Sequence, residues 1–300
     1  MANNLNILII GGSSFVAKNY IKFNKRNDTI YTVSRTATGF INEFIVSDFN
    51  NISENIFENK DVVINCAAIV HQNKKIEESI YNKINFELAI KFAQQAKKSG
   101  AKMFVQLSTV AVYGRANHIN ISSKEKPITP YGKSKLLADN ELLAMSDKSF
   151  NTIILRPPMV YGGGNTPGNM MRLIRLISTK VPLPFKGITN QRDFIHIKNL
   201  IRFMEASIEK EQNGIFLVSD NSPVSINDLY NYITNVLDIP NRSFKLPTLL
   251  LDVIKKMIPN TYEKLFGSLT IDISNTIQVL NVYPEDLIIE GLKEMKLQIQ

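Results

Sequence analysis

The sequence holds one cysteine, Cys66, and no tryptophan. A single cysteine excludes an internal disulfide and any metal cluster built on cysteines. The three histidines, His71, His118 and His196, lie far apart and argue against a metal site. Long apolar runs are also missing: none reaches the roughly 18 residues of a membrane span. The N-terminus, MANNLNILIIGG, lacks the basic region and cleavage site of a secretory signal. It reads as a buried strand, so the cytosol is the expected compartment. No basic block carries interleaved aromatics, which speaks against nucleic-acid binding. The formal net charge is nevertheless +8. That excess fits Lys- and Asn-rich solvated faces and suits an anionic small-molecule partner.

What is present is alternation. Leu5–Ile10 is a short apolar run closed by Gly11-Gly12, and helical spacing follows from Ser13 to about Lys25. Further strands are expected at Thr29–Ser34, Glu43–Ser47, Asp61–Cys66, Met103–Leu107 and Asn151–Leu155, with helices at Glu77–Ser99 and Thr129–Ser146. Strands alternating with helices predict an α/β fold, a Rossmann-type doubly wound parallel sheet, over residues 1–160. After Arg156-Pro157-Pro158 the alternation breaks. Residues 161–300 are expected to form mainly a smaller C-terminal substrate-binding lobe, with some segments returning to the sheet. Gly214–Val218 looks strand-like, while Ser225–Leu237, Pro247–Ile258, Ile271–Leu280 and Pro284–Met295 look helical. The stretch Pro247–Phe266 reads as a lobe helix packed on the core; a helix lying on a membrane surface is the alternative, and Pro259 interrupts it.

Several stretches carry chemistry. A tight turn feeding a helix presents backbone N–H groups and a positive dipole end to a pyrophosphate. Gly11 makes that turn here, and Ser13, Ser14, Phe15 and Val16 open the helix. Ser14 stands where a dinucleotide turn usually has glycine, and its hydroxyl is a candidate donor to phosphate. At the end of the second strand a carboxylate holds the ribose of NAD, whereas an Arg accommodates the 2′-phosphate of NADP. Ser34-Arg35 has no acid, which favours NADP over NAD; Asp48-Phe49 is placed to meet the adenine, Asp48 equally suiting a loop cap. Ser108 and Thr109 end the fifth strand, where a substrate hydroxyl can be held. Tyr131 and Lys135 share one face of the following helix. A cation beside a phenol lowers its pKa and fits it for proton transfer at an alcohol or ketone.

Taken with Asn65-Cys-Ala-Ala68, Asn85, Leu155-Arg-Pro-Pro-Met-Val-Tyr-Gly162 and Arg192-Asp-Phe-Ile-His-Ile197, these pieces resemble the extended short-chain dehydrogenase/reductases, in the nucleotide-sugar epimerase/dehydratase family. The resemblance runs in family order along nearly the whole chain. It implies Thr109, Tyr131 and Lys135 as the catalytic set, and Cys66, Ala67, Ala68, Asn85 and Pro158 around an NAD or NADP cofactor. It also implies Asn169 and Arg192 on a nucleotide-sugar diphosphate. The family's dehydratases place an Asp-Glu pair directly after the Thr. Here Val110-Ala111 occupy those positions, so dehydration is not expected. C4 epimerisation of a UDP-hexose or UDP-N-acetylhexosamine, in surface polysaccharide synthesis, is the leading expectation. The alternatives are reduction of a UDP-4-keto-6-deoxy-hexosamine and a non-catalytic NADP(H)-sensing protein. Resemblance further implies a homodimer through the helices at Glu77–Ser99 and Thr129–Ser146; peripheral contact with a membrane stays open.

Overall fold

The computed structural model describes residues 4–24, 26–70, 76–164 and 166–298. Lys25 and His71, both named above, lie outside the described residues. Eleven strands are present among those described: β1 (Asn6–Ile10), β2 (Thr29–Ser34), β3 (Glu43–Ile45), β4 (Val62–Asn65), β5 (Met103–Leu107), β6 (His118–Ile119), β7 (Asn151–Arg156), β8 (Met159–Tyr161), β9 (Phe194–His196), β10 (Gly214–Leu217) and β11 (Thr270–Ile271). Seven of them form one sheet in the order β10-β7-β5-β4-β1-β2-β3, parallel throughout. This is a Rossmann-type doubly wound sheet. Its strand order reverses beside β1, where such sheets open a ligand crevice.

The strands are near-continuous apolar runs because both faces are covered. Ile7 and Ile9 enter one core cluster, Leu8 and Ile10 the other, and all four are fully buried. Register brings Ile10 opposite Val33 and Asn65, Asn65 opposite Gln106, and Leu107 opposite Leu155. The carboxyl ends of five strands therefore form one edge.

On the faces lie α1 (Phe15–Phe23), α2 (Glu78–Tyr81), α3 (Leu88–Lys98), α4 (Pro130–Ala144) and α6 (Ile197–Glu209), while α5 (Asn169–Ser178) belongs to the lobe. A π turn, Asn82–Glu87, joins α2 to α3. The remaining helices are α7 (Ile226–Leu237), α8 (Thr248–Met257), α9 (Pro259–Phe266), α10 (Ser274–Leu280) and α11 (Ile288–Lys296). A third apolar cluster joins α5, α7 and α11 around Tyr161, Phe185 and Phe194.

Three expectations change. Alternation does not stop at Arg156: α6 packs against α1 with Leu200, Phe203 and Met204 fully buried, and leads into β10 at the sheet edge. Ile271–Leu280 is not wholly helical, because Thr270 and Ile271 pair with His118 and Ile119 as strand before α10 begins. The helix expected to pack on the core at Pro247–Ile258 does not do so. None of the described side chains of α8 is buried; Leu249 is 74% and Met257 77% exposed. Pro247 and Pro259 bracket α8, and it reaches the body through α9, whose Phe266 ring meets Phe185 at 6.1 Å.

Candidate active site

The glycine turn lies at the switch point between β1 and β4. Gly11 adopts φ +85°, and both Gly11 and Gly12 donate backbone N–H bonds to Val33 O (2.9 and 3.0 Å). A Cβ on Gly11 would stand 2.8 Å from Ala67 N, and one on Gly12 would stand 2.7 Å from the Thr32 Cβ. Only glycine lets this turn lie so close to its neighbours. Ser14 is the N-cap of α1, its Oγ accepting from Ala17 N at 3.2 Å. Its hydroxyl is engaged by the helix start, a physical reason for serine at this position other than phosphate binding. Ser13 is exposed and Phe15 half-buried, and both line a groove of about 500 Å³ with Lys18, Lys22, Gly163 and Gly164. Val16 is buried in the core.

Beside this turn the Thr32 hydroxyl is buried without a protein partner, while Ser34 lies against the Glu43 carboxylate. A helix N-terminus behind a close-packed glycine turn fits a dinucleotide. Arg35 is exposed, with its guanidinium 5.6 Å from the Phe49 ring, which in turn packs edge-on against Phe92. Asp48 accepts from Asn50 N (2.9 Å) and Asn50 Nδ2 (3.0 Å), and these bonds hold its carboxyl below the usual range. Its carboxylate thus serves as the cap of the Phe49–Asn51 turn.

At the end of β4, Asn65 Oδ1 accepts from Ala67 N (3.1 Å) while its Nδ2 donates to Gln106 Oε1 (2.9 Å). This fixes the path of Cys66, Ala67 and Ala68. Cys66 is buried, and burial pushes its thiol up to about 12, so it stays protonated. Asn85 sits in the π turn. It brackets Ile69 by accepting from its N (2.8 Å) and donating to its O (2.9 Å), and donates also to Ser134 Oγ (3.1 Å). Its amide therefore shapes the loop after β4 and ties it to α4. Pro158 is buried beside Pro157, whose carbonyl accepts from Val110 N (3.1 Å).

The helix carrying Tyr131 starts where the sequence dictates. Thr129 Oγ1 accepts from Gly132 N (3.0 Å), and Pro130 takes the first helical position. Thr109 begins the short 3-10 turn Val110–Tyr113, its Oγ1 accepting from Ala111 N (3.1 Å). The two starts press together, since a Cβ on Gly132 would be 2.7 Å from Ala111 O. That contact brings the Tyr131 hydroxyl into hydrogen bonding with the Thr109 side chain. Lys135, one turn along α4, is buried and donates from Nζ to Leu107 O (2.9 Å).

The electrostatics differ from expectation. Burial pushes Tyr131 up to about 12, against the opposing bond from Thr109. Lys135 donates to the Leu107 carbonyl, and the phenol is set by burial against the Thr109 bond. Lys135 is itself pulled down to about 8 by burial, with Asp139 opposing. Tyr131 therefore holds its proton at neutral pH, and Lys135 is mostly charged.

Behind this centre lies a polar network that sequence reasoning missed. Asp139 continues the Tyr131–Lys135 face by one more turn and is fully buried. It accepts from Arg156 Nε (3.0 Å) and from Ser108 Oγ (2.8 Å). Arg156, also fully buried, further donates to Tyr113 Oη (2.7 Å) and Glu125 Oε1 (2.8 Å). Ser108, expected at the substrate, is buried and donates its hydroxyl hydrogen bond to Asp139. The available signal was the helical spacing Tyr131, Lys135, Asp139; its partner, a buried arginine on a distant strand, left none.

Asn169, the first residue of α5, and Arg192 line one cavity of about 70 Å³ together with Met159, Phe194, Leu229 and Leu265. Arg192 Nη1 donates to Glu263 O (3.0 Å) and Gly267 O (2.9 Å), which aims the guanidinium from the end of α9. Burial lowers its pKa.

Two outcomes follow. Gly132→Ala forces a backbone carbonyl aside and shifts Tyr131; misplacement of this kind costs about 100-fold in turnover, read by steady-state kinetics alongside retained circular dichroism. Asp139→Asn removes the anion that keeps Lys135 charged. The alkaline limb set by Lys135 near pH 8 should move to lower pH, with stability reduced by about 3–5 kcal/mol. A pH–rate profile and denaturant titration measure both.

The chain matches the description "NAD dependent epimerase/dehydratase family" over residues 7–219. It is 32% identical to a UDP-glucose 4-epimerase of Vibrio cholerae, covering 96% of this chain and 93% of that protein. It is 24% identical to the N-acetyl-alpha-D-glucosaminyl-diphospho-ditrans,octacis-undecaprenol 4-epimerase of Escherichia coli O157:H7, covering 81% and 76%. Among solved structures, the UDP-glucuronic acid 4-epimerase of Bacillus cereus in complex with NAD superposes with TM-score 0.79 at 20% identity, over 99% and 100% of the two chains. With glycine turn, Thr–Tyr–Lys centre and sheet order in one frame, the chain belongs to the NAD-dependent epimerase/dehydratase family.

Proposed function

We propose that this protein is a cytoplasmic C4 epimerase of a UDP-hexose or UDP-N-acetylhexosamine, working in surface polysaccharide synthesis. One observation carries the reading: Thr109 is hydrogen-bonded to Tyr131 beside a buried Lys135, while apolar Val110 and Ala111 follow the threonine. Carboxylates needed to eliminate water are missing from that turn. The 4-epimerase relative, similar over nearly the full chain, supports the same reaction.

Gly11, Gly12 and the N-terminus of α1 would hold the cofactor's pyrophosphate, and the β2 and β4 ends its adenosine and nicotinamide halves. Bound NAD supplies the site that takes a hydride from C4 and gives it back. The chain's own part is the proton. Tyr131, once ionised, accepts it from the C4 hydroxyl and later returns it to the same oxygen. Thr109 orients that hydroxyl and lowers the cost of ionising Tyr131. Lys135 places a positive charge behind the pair. Arg192 and Asn169 are assigned to the nucleotide diphosphate, the guanidinium suiting phosphate oxygens. Epimerisation requires release and rebinding of the keto sugar's opposite face with the nucleotide still anchored, a task that falls to this pocket.

Arg35 favours a second reading. A guanidinium at the end of β2 suits a 2′-phosphate, and NADPH that exchanges freely suits a 4-ketoreductase. The homodimer is assigned to α2, α3 and α4, where Ile80 and Leu137 are exposed.

Nucleotide released by denaturation, together with turnover of UDP-glucose and UDP-N-acetylglucosamine without added cofactor, separates these readings. Tightly held NAD(H) with C4 interconversion is expected; consumption of added NADPH by a 4-keto sugar would establish the reductase. Tyr131→Phe should lower turnover about 100- to 10,000-fold with cofactor retained; full activity would end the mechanism. Light scattering should give a dimer mass, and a monomer mass removes that assignment.

A further inference from the structure

We propose that α8 is a docking helix that seats this protein on an anionic lipid bilayer. The proposal stands on the outer surface of the lobe and does not depend on which sugar is turned over.

Leu249, Leu250, Val253 and Met257 project from α8 into solvent with exposures of 74, 47, 44 and 77%. At 3.6 residues per turn they fall within an arc of roughly 100°. Other exposed large apolar residues are mostly scattered along the chain, as is normal for a surface; these four form a continuous stripe. The stripe carries a cost in water that only an apolar partner relieves.

Charge selects the partner. Lys255 and Lys256 are exposed in the last turn of α8, Arg242 and Lys245 are exposed on its approach, and Asp252 is the acid within the helix. Lys256 borders the apolar arc. An apolar face edged by cations on a chain of net charge +8 complements an anionic headgroup layer with acyl chains beneath. Helix α8 spans ten residues, and no helix among the described residues is long and apolar enough to cross a membrane. It therefore lies in the interface plane, not across it.

Geometry links the surface to the pocket. Lys255 Nζ stands 5.5 Å from the Tyr262 ring on α9, joining the two helices. Leu265 of α9 lines the cavity of Arg192, and the α9 end supplies both carbonyls that aim Arg192. A bilayer holding α8 lies one helix away from the diphosphate pocket.

Flotation of the full-length protein with vesicles tests this, comparing pure phosphatidylcholine with an equal mixture of phosphatidylcholine and phosphatidylglycerol. Binding to the anionic vesicles is expected, weakening as salt rises. The double variant Leu249→Glu/Met257→Glu should lose at least about tenfold in partitioning. Lys256→Ala should lose about fivefold at low salt. Circular dichroism and retained nucleotide check that each variant is folded. Absence of wild-type binding to the anionic vesicles, or undiminished binding by the folded double variant, overturns the proposal. So does light scattering in which the double variant dissociates a wild-type oligomer, since the stripe is then covered by a second copy.

Discussion

One buried ion pair holds the reactive edge together. Asp139 on α4 and Arg156 at the end of β7 meet at 3.0 Å with both side chains fully buried. Desolvating two charges is costly, and the pair persists because Ser108, Tyr113 and Glu125 satisfy further hydrogen-bonding positions. The consequence is geometric. Ser108 is the neighbour of Thr109, and Asp139 lies one turn beyond Lys135, so the pair clamps β5, α4 and β7 into one unit. Thr109, Tyr131 and Pro158 are carried on those three segments. Burial raises the Asp139 pKa, and Arg156, Ser108 and Lys135 oppose it. Lys135 is thereby buried next to an anion that keeps it charged.

The dinucleotide turn follows the same economy of space. Gly11 lies against the loop after β4, and that loop is itself held by Asn65 and by Asn85 across to Ser134 on α4. The glycine turn and the Thr109–Tyr131–Lys135 cluster are thus tied through one loop. Asn85 lies in a π turn, a local widening of the helix that is frequent at functional sites. The C-terminal lobe is joined by a second polar cluster. Tyr161 donates to Asp220 (2.7 Å), which also accepts from His196 N and Asn199 Nδ2. Glu294 of α11 accepts from Gly163 N and faces His196 Nε2 at 3.2 Å. Burial pushes His196 down, so this contact is made by a largely neutral ring.

Much of this was legible beforehand because it is local. The β1 run, the turn at Gly11-Gly12 and the capping box that opens at Ser225 are readable from spacing and residue type alone. Repeated alternation then implies the parallel sheet, and with it a crevice beyond the strand ends. Thr109, Tyr131 and Lys135 converge there for the same reason. The short strands β8 and β9 were hidden, since three residues each are too few to show alternation and their pairing is with each other at long range.

By itself, then, the sequence determined the α/β class, the glycine turn after β1 and the shared helix face of Tyr131 and Lys135, all of which are local in the chain. Tertiary structure alone decided that Ser108 faces Asp139, that Asp48 serves a turn, that burial raises Tyr131 while Lys135 bonds to Leu107, and that the apolar stripe of α8 faces solvent. Burial and pairing depend on what lies across the fold, and a local pattern carries no record of its distant neighbour.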